Sequence, residues 1–380
     1  MSDASRAGAL RAVVVGRAYA DPAARGKLRA LTGLGCAVGA VVPAEWRSPS
    51  DGRLHKPETG DDGGTRILAI PARRGAESRW DGTALRRALA EFRPDVVQLE
   101  EEPGTRAAAQ VRRAAARLGI ALVACSSEGR HRIARPLQSR MRRRRVLREA
   151  RGLVGSNRLA LESLADGRAS VPHSVIPPLG ITPPLTPVAP PSEGSDDRLV
   201  IGFVGRLRPE KGVDLLLRAA AWLRSTWSME IVGTGPALEE LETLVTRLGI
   251  AGRVTWHGAL PASALAECWR GFDCLVLPSR TTEHWIEDRG RTVLEAMAHG
   301  LPVVTSDSGV LPELVGEAGI VVPEGDVDAL AVALHRLLAQ SALRARLGAD
   351  ARRRVLADFS DAAVARRTLE FWHAVLAPRA

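Results

Sequence analysis

Residues Leu199–Gly212 read LVIGFVGRLRPEKG. Leu199 to Val204 form an apolar run of strand length, Gly205 breaks it, and Arg206 and Lys211 follow in a short polar loop. Val213, Leu216, Leu217 and Ala220 then recur at helical spacing. The stretch is a strand, a loop carrying two cations, and a helix. Downstream the alternation continues, with apolar strands expected at Met229–Val232, Arg253–Trp256, Cys274–Leu277, Pro302–Ser306 and Ile320–Val322. Short apolar strands separated by helices imply a parallel sheet covered on both faces.

Working back toward the N-terminus, the same alternation appears. Strands are expected at Ala9–Val15, Ala37–Val42, Arg66–Ile70, Asp95–Leu99 and Ile120–Ala124, and helices at Pro22–Leu34, Thr83–Phe92 and Thr105–Leu118. Residues 48–65, SPSDGRLHKPETGDDGGT, read as a polar, glycine-rich loop with little to fold on. Residues 177–197 hold a dense set of prolines followed by small polar residues, the clearest boundary in the chain. The expected fold is α/β, two doubly wound Rossmann-like domains facing a cleft. Residues 1–180 form one, 181–197 the linker, 198–360 the other, and 361–380 a final helix, Asp361 to Leu376. Ligands bind at the carboxyl ends of strands in such sheets.

A second stretch carries chemistry. Pro278–Glu313 reads PSRTTEHWIEDRGRTVLEAMAHGLPVVTSDSGVLPE. After Gly290 a helix pattern starts with Val293, Leu294, Ala296 and Met297, and Gly300 and Pro302 stop it. A glycine at a helix start lets a ligand reach bare amides, and the positive end of the dipole favours a phosphate there. Glu287 sits just before the helix and Glu295 lies inside it. One anion site flanked by two acceptors suits a phosphorylated sugar. Of 53 Lys and Arg only Lys27, Lys56 and Lys211 are lysines, so a lysine in the Arg206 loop is unlike its background. A point charge and a planar fork together can grip a pyrophosphate without a metal ion.

Composition removes several classes. Hydrophobic content of 45% and charged content of 25% over 380 residues describe a folded protein. No apolar run reaches the roughly 18–20 residues of a membrane span. The N-terminus lacks a signal peptide's apolar core, so a cytoplasmic protein is the default expectation. Cys36, Cys125, Cys268 and Cys274 form no CxxC pair, and the eight histidines form no HExxH cluster. Neither a metal nor a cofactor is expected. Net charge of +10 admits nucleic acid, an anionic membrane or a phosphorylated ligand. Aromatic content of 4% without a stacking platform disfavours nucleic acid.

With these pieces in place, the chain resembles a family 4 retaining glycosyltransferase of the GT-B fold. The resemblance runs over about residues 173–360 through HSVIPPLG, GFVGRLRPEKGVDLLLRA, VGTGP, VTWHGAL, DCLVLPS, the Glu287/Glu295 pair, HGLPVVTSDSGVLPELV and GIVVPEGD. It is looser over AYADPAARGKLRAL and RPDVVQLEEEP. It implies that Arg206 and Lys211 hold the donor diphosphate of a UDP- or GDP-type sugar. It also implies that the amides around Gly290, Arg291 and Thr292 receive the phosphate. By the same resemblance Glu295 bonds the ribose and Glu287 contacts the transferred sugar. Transfer to an acceptor hydroxyl or amine with retention follows from the family, with Glu287 orienting the sugar. The final helix of such folds often crosses back onto the first domain. Asp288-Arg289 stands where relatives carry apolar or glycine residues, and Glu100, Glu101 and Glu102 stand where many place a histidine.

The acceptor side is open. Glu101 or Glu102 at a strand end, and Glu128 after the next strand, are candidates for acceptor hydroxyls or amines. Arg25 and Lys27 are candidates for an anionic acceptor, or else a solvated helix face. The run Arg140–Arg145 lies on an expected helix whose thin apolar side is Leu137, Met141 and Leu147. A solvated face, peripheral contact with anionic lipid and an acidic partner remain open for it. A sugar-nucleotide epimerase on the same scaffold, a non-catalytic nucleotide-sugar-binding subunit and a basic adaptor stand as rival functions.

Overall fold

The computed structural model describes residues 9–47, 54–73, 79–128, 136–165, 171–188 and 198–378. The chain divides into two compact units, Met1–Gly180 with Asp361–Ala380, and Ile181–Ser360. Part of the proline-rich segment, residues 189–197, lies outside the described residues.

The first unit is built on an eight-stranded sheet. In chain order its strands are β1 (Arg11–Val15), β2 (Ala37–Pro43), β3 (Gly60–Asp62), β4 (Thr65–Ile70), β5 (Val96–Leu99), β6 (Ala121–Ser126), β7 (Gly152–Gly155) and β8 (His173–Val175). The spatial order is β8-β7-β6-β5-β1-β2-β4-β3, parallel except at the β3–β4 edge. Successive side chains point to opposite faces of a strand, and β1 shows it. Val13 and Val15 enter one core while Ala12 and Val14 enter the other, all fully buried. The first core is covered by α2 (Gly82–Phe92), α3 (Arg106–Leu118) and α4 (Leu137–Glu149). The second is covered by α1 (Gly26–Gly33) and the C-terminal helix α13 (Asp361–Leu376), with Trp372 and Val364 fully buried among Leu28 and Leu31.

Two expectations change here. Residues 48–65 are not simply a loop. Residues 48–53 lie outside the described set, but Leu54–His55 pair with Trp46–Arg47, and Gly60–Asp62 pair antiparallel with Thr65–Ile70. Gly63 and Gly64, both at positive φ, close that hairpin, a geometry that suits glycine and matches strand twist. The strands β7 and β8 and the helix α5 (Arg158–Ala165) between them were not expected. Two of the four residues of β7 are glycine, which weakens any strand signal.

The second unit holds an all-parallel six-stranded sheet. Its strands are β9 (Arg198–Val204), β10 (Thr226–Val232), β11 (Val254–Gly258), β12 (Cys274–Leu277), β13 (Val303–Ser306) and β14 (Ile320–Val322). The order is β11-β10-β9-β12-β13-β14. The helices α6 (Val213–Ala221), α7 (Leu238–Arg247), α8 (Ala262–Gly271), α9 (Arg291–Ala298), α10 (Leu311–Val315), α11 (Val327–Ala339) and α12 (Ser341–Arg354) connect the strands and follow them.

From β9 the chain winds outward through β10 and β11. It then returns to β12 on the other side of β9. The loops after β9 and β12 therefore diverge, which opens a crevice at the carboxyl ends of these two strands. In the first unit the same switch lies between β1 and β5.

Candidate functional site

In the second unit the switch point brings together residues far apart in sequence. The loop after β9 is braced from β10: Gly205 donates its N–H to Val232 O at 2.9 Å, and Leu207 to Thr234 O at 2.9 Å. Lys211 closes this loop. Its Nζ donates to Glu287 Oε2 at 2.6 Å and lies 4.8 Å from the centroid of the Trp285 ring. The Lys211 side chain is 18% exposed and that of Glu287 7%. Ser279, at the end of β12, donates its hydroxyl to the same carboxylate oxygen at 3.1 Å, and Gly290 donates its N–H to Glu287 Oε1 at 3.4 Å. Glu287 is thus a buried carboxylate with three donors. Burial without partners would cost it heavily.

The backbone of Glu287 is fixed as well. Val310 donates its N–H to Glu287 O at 2.9 Å. Gly309, at φ 55°, approaches so closely that a Cβ there would lie 2.0 Å from that oxygen. A side chain at position 309 would displace the carbonyl and, with it, the carboxylate.

Gly290 caps α9 at φ 54°. Arg291 and Thr292 open the helix, and first-turn amides have no acceptor within the helix. These N–H groups lie next in the chain to the cap whose own amide bonds Glu287. Glu295 is one turn further on and half-buried. Its carboxylate accepts from Arg291 Nε at 2.8 Å, so it is held along the helix and not against Lys211 or Glu287. Arg206 is exposed, and among the described residues it forms no ion pair. Glu210 pairs with Arg208 at 2.7 Å and with neither Arg206 nor Lys211.

The sequence reading missed Ser279 and Trp285. Ser279 is a fully buried hydroxyl where an apolar strand ends, which is a weak signal. Its carbonyl accepts from Ser306 Oγ at 2.5 Å, which ties the end of β12 to β13. Among the described residues no group of three or more His, Cys, Asp or Glu is placed to hold a metal ion.

The acceptor candidates of the first unit fall out differently. Arg25 is 1% exposed and donates to Tyr19 O at 2.8 Å, to Ala20 O at 3.3 Å and to Asp62 Oδ2 at 2.9 Å. Lys27 is fully buried and donates to Glu100 Oε1 at 2.6 Å and to Pro178 O at 2.5 Å. Neither lies on a solvated helix face, and neither presents a cation to a ligand. Asp62 and the Pro178 carbonyl come from distant segments that fold over them.

Glu100 also accepts from Tyr19 Oη at 2.7 Å and Gln98 Nε2 at 2.7 Å. Burial and the Glu100 carboxylate push the Tyr19 phenol well above its ordinary pKa, so it stays protonated as the donor. Glu101 is 4% exposed and pairs with Arg17 at 2.6 Å, and that hydrogen bond raises the Arg17 pKa. Glu102 accepts from Ser126 Oγ and from Ser127 N, each at 2.8 Å. Glu128, half-buried, donates its N–H to Ser126 Oγ at 3.2 Å. The three adjacent carboxylates are therefore tied into the fold. The hollow they line with Ser126 and Ser127 measures about 20 Å³, room for one water.

Residues 188–354 match the family model described as glycosyl transferases group 1. Over 162 residues, 41% of this chain, it is 39% identical to a GDP-mannose-dependent alpha-(1-6)-phosphatidylinositol monomannoside mannosyltransferase of Mycolicibacterium smegmatis. That match spans 42% of the relative, and the first curated relatives are each matched over less than half of their length. Sucrose-phosphate synthase from Thermosynechococcus elongatus superposes with a TM-score of 0.68 at 21% identity, covering 96% of this chain and 99% of that one. Anabaena Alr3699/HepE, solved in complex with UDP and glucose, gives a TM-score of 0.67 at 17% identity, covering 96% and 100%. These structures share the fold of two parallel-sheet Rossmann-like domains, the GT-B fold. Over residues 188–354, less than half of its length, the chain is similar to the glycosyl transferases group 1 family.

Proposed function

Proceeding from that similarity and from the geometry of the second unit, we propose that the protein transfers a sugar from a UDP- or GDP-type nucleoside diphosphate sugar to an acceptor hydroxyl or amine. Transfer proceeds with retention and without a metal ion. The observation that carries the reading is the Lys211–Glu287–Ser279 cluster beside the first turn of α9, at the switch point of the second sheet. Cation, carboxylate and amides occupy one crevice edge, and each matches one part of a sugar nucleotide.

In this reading the diphosphate lies against Arg206, Lys211 and the amides of Arg291 and Thr292. As the bond from the anomeric carbon to the diphosphate oxygen breaks, its electron pair stays on the diphosphate. Pre-placed cations and amides stabilise that growing charge without reorganising. The acceptor oxygen or nitrogen bonds the anomeric carbon on the same face, and its proton passes to the departing phosphate oxygen. Glu287 orients the sugar hydroxyls, and Glu295 takes the ribose once the donor competes with Arg291 for it. Support comes from the family match and from the names of relatives that use GDP-mannose or were solved with UDP.

The test is product analysis by NMR with α-linked UDP- and GDP-sugars and a panel of acceptors, with and without chelator. The expected product is an α-glycoside formed equally well in chelator. A β-linked product contradicts retention, and dependence on added metal contradicts the metal-free mechanism. A free epimer of the donor moves the protein to the epimerase reading.

A further inference from the structure

The positive charge of the chain is concentrated. Between Pro103 and Arg158 the sequence has fifteen arginines against two carboxylates, +13, where the whole chain carries +10. The remainder is net acidic. The structure places much of this charge on one side of the first unit. The helices α3 and α4 lie in the same layer over the sheet, with Val111, Ala114, Val146 and Leu147 buried. Their outward surface exposes Arg113 and Arg117 of α3 and Arg140, Arg144, Arg145 and Arg148 of α4.

Not every arginine of the run faces outward. Arg142 Nε turns back to Gly104 O at 2.8 Å, and Arg143 Nη2 to Ser163 O at 2.5 Å. Glu149, the one acid on α4, pairs with Arg112 at 2.5 Å. With Glu149 turned to Arg112, the outer surface of α4 keeps a strong net positive charge. Leu147 is buried at 8%, whereas Leu137 is 71% exposed and Met141 45%. Leu137, Met141, Arg144, Arg145 and Arg148 follow helical spacing and share one stripe.

We propose that the outer face of α3 and α4 is a docking surface for an anionic bilayer, with guanidinium groups on lipid phosphates and Leu137 and Met141 entering the acyl boundary. Charge complementarity selects an anionic partner. The two exposed apolar side chains on the same stripe select a bilayer over a nucleic acid, which would need base-stacking groups. The proposal does not rest on the transferase reading.

The experiment is co-sedimentation of the full chain with phosphatidylcholine vesicles, with and without phosphatidylglycerol, at about 0.1 M salt, where screening acts over about 10 Å. Duplex DNA is the competing ligand. The expected result is binding only to anionic vesicles. R140Q/R144Q/R145Q should weaken it about 100-fold, and L137S/M141S about tenfold. R336Q/R346Q, exposed arginines of the second unit, should leave it unchanged. All three variants should keep the wild-type thermal midpoint, since only exposed side chains change. Equal binding to neutral vesicles overturns the proposal. So does no vesicle binding, or displacement from anionic vesicles by stoichiometric DNA.

Discussion

Lys211→Ala should lower kcat/KM for sugar transfer by about 10²–10³-fold, the usual loss when one pre-placed donor to a developing anion is removed. Two effects combine. The diphosphate loses a cation, and the Glu287 carboxylate loses its 2.6 Å partner. Ser279 and the Gly290 amide still hold that carboxylate, so the fold survives. Lys211→Arg should fall between, because it keeps the charge while the longer, planar guanidinium does not reproduce the compact ammonium's 2.6 Å contact with Glu287. Steady-state kinetics on the wild type and both variants check this. Activity of Lys211→Ala within threefold of wild type would remove Lys211 from the mechanism.

Lys27→Met should destabilise the first unit by about 3–5 kcal/mol, because it leaves the Glu100 carboxylate buried without its cation. Side-chain exposures of 0% for Lys27 and 5% for Glu100 leave water little access to take over. Lys27→Met/Glu100→Gln should recover part of the loss, since the charge is then gone while Tyr19 and Gln98 keep a partner. The network extends to the C-terminal helix through Trp372 Nε1, which donates to Gln98 Oε1 at 2.8 Å. Denaturant unfolding with hydrogen exchange on the amides of β5 reads the effect. A loss under 1 kcal/mol for the single variant would mean that the pair is solvated in solution.

The sequence shows the fold clearly where strands are buried on both faces. Cys274–Leu277 is a continuous apolar run, buried throughout, and becomes a strand with those bounds; Ile320–Val322, at the sheet edge with Val321 exposed, also keeps its expected bounds. It fails at Gly152–Gly155, where glycine replaces the β-branched residues that mark a strand. Charged residues are harder to read. Nothing local distinguishes Arg25 and Lys27 from a solvated helix face, because Asp62, Glu100 and Pro178 bury them from 37, 73 and 151 positions away. Lys211 looks like a neighbour of Glu210, yet its partner is Glu287, 76 residues on. Such pairings depend on the order of strands in the sheet, and spacing along the chain does not encode them.

A nucleoside diphosphate sugar is expected to bind at the loop after β9 and the start of α9. The most direct measurement is a thermal-shift panel of UDP, GDP, ADP and TDP with their sugars on the wild type and on Glu295→Ala. A ligand at about 100 times its dissociation constant adds about 2.7 kcal/mol of stability. One nucleotide should stabilise the wild type, and Glu295→Ala should lose most of that shift at the same concentration. No shift with any nucleotide, or an equal shift in both proteins, would contradict it.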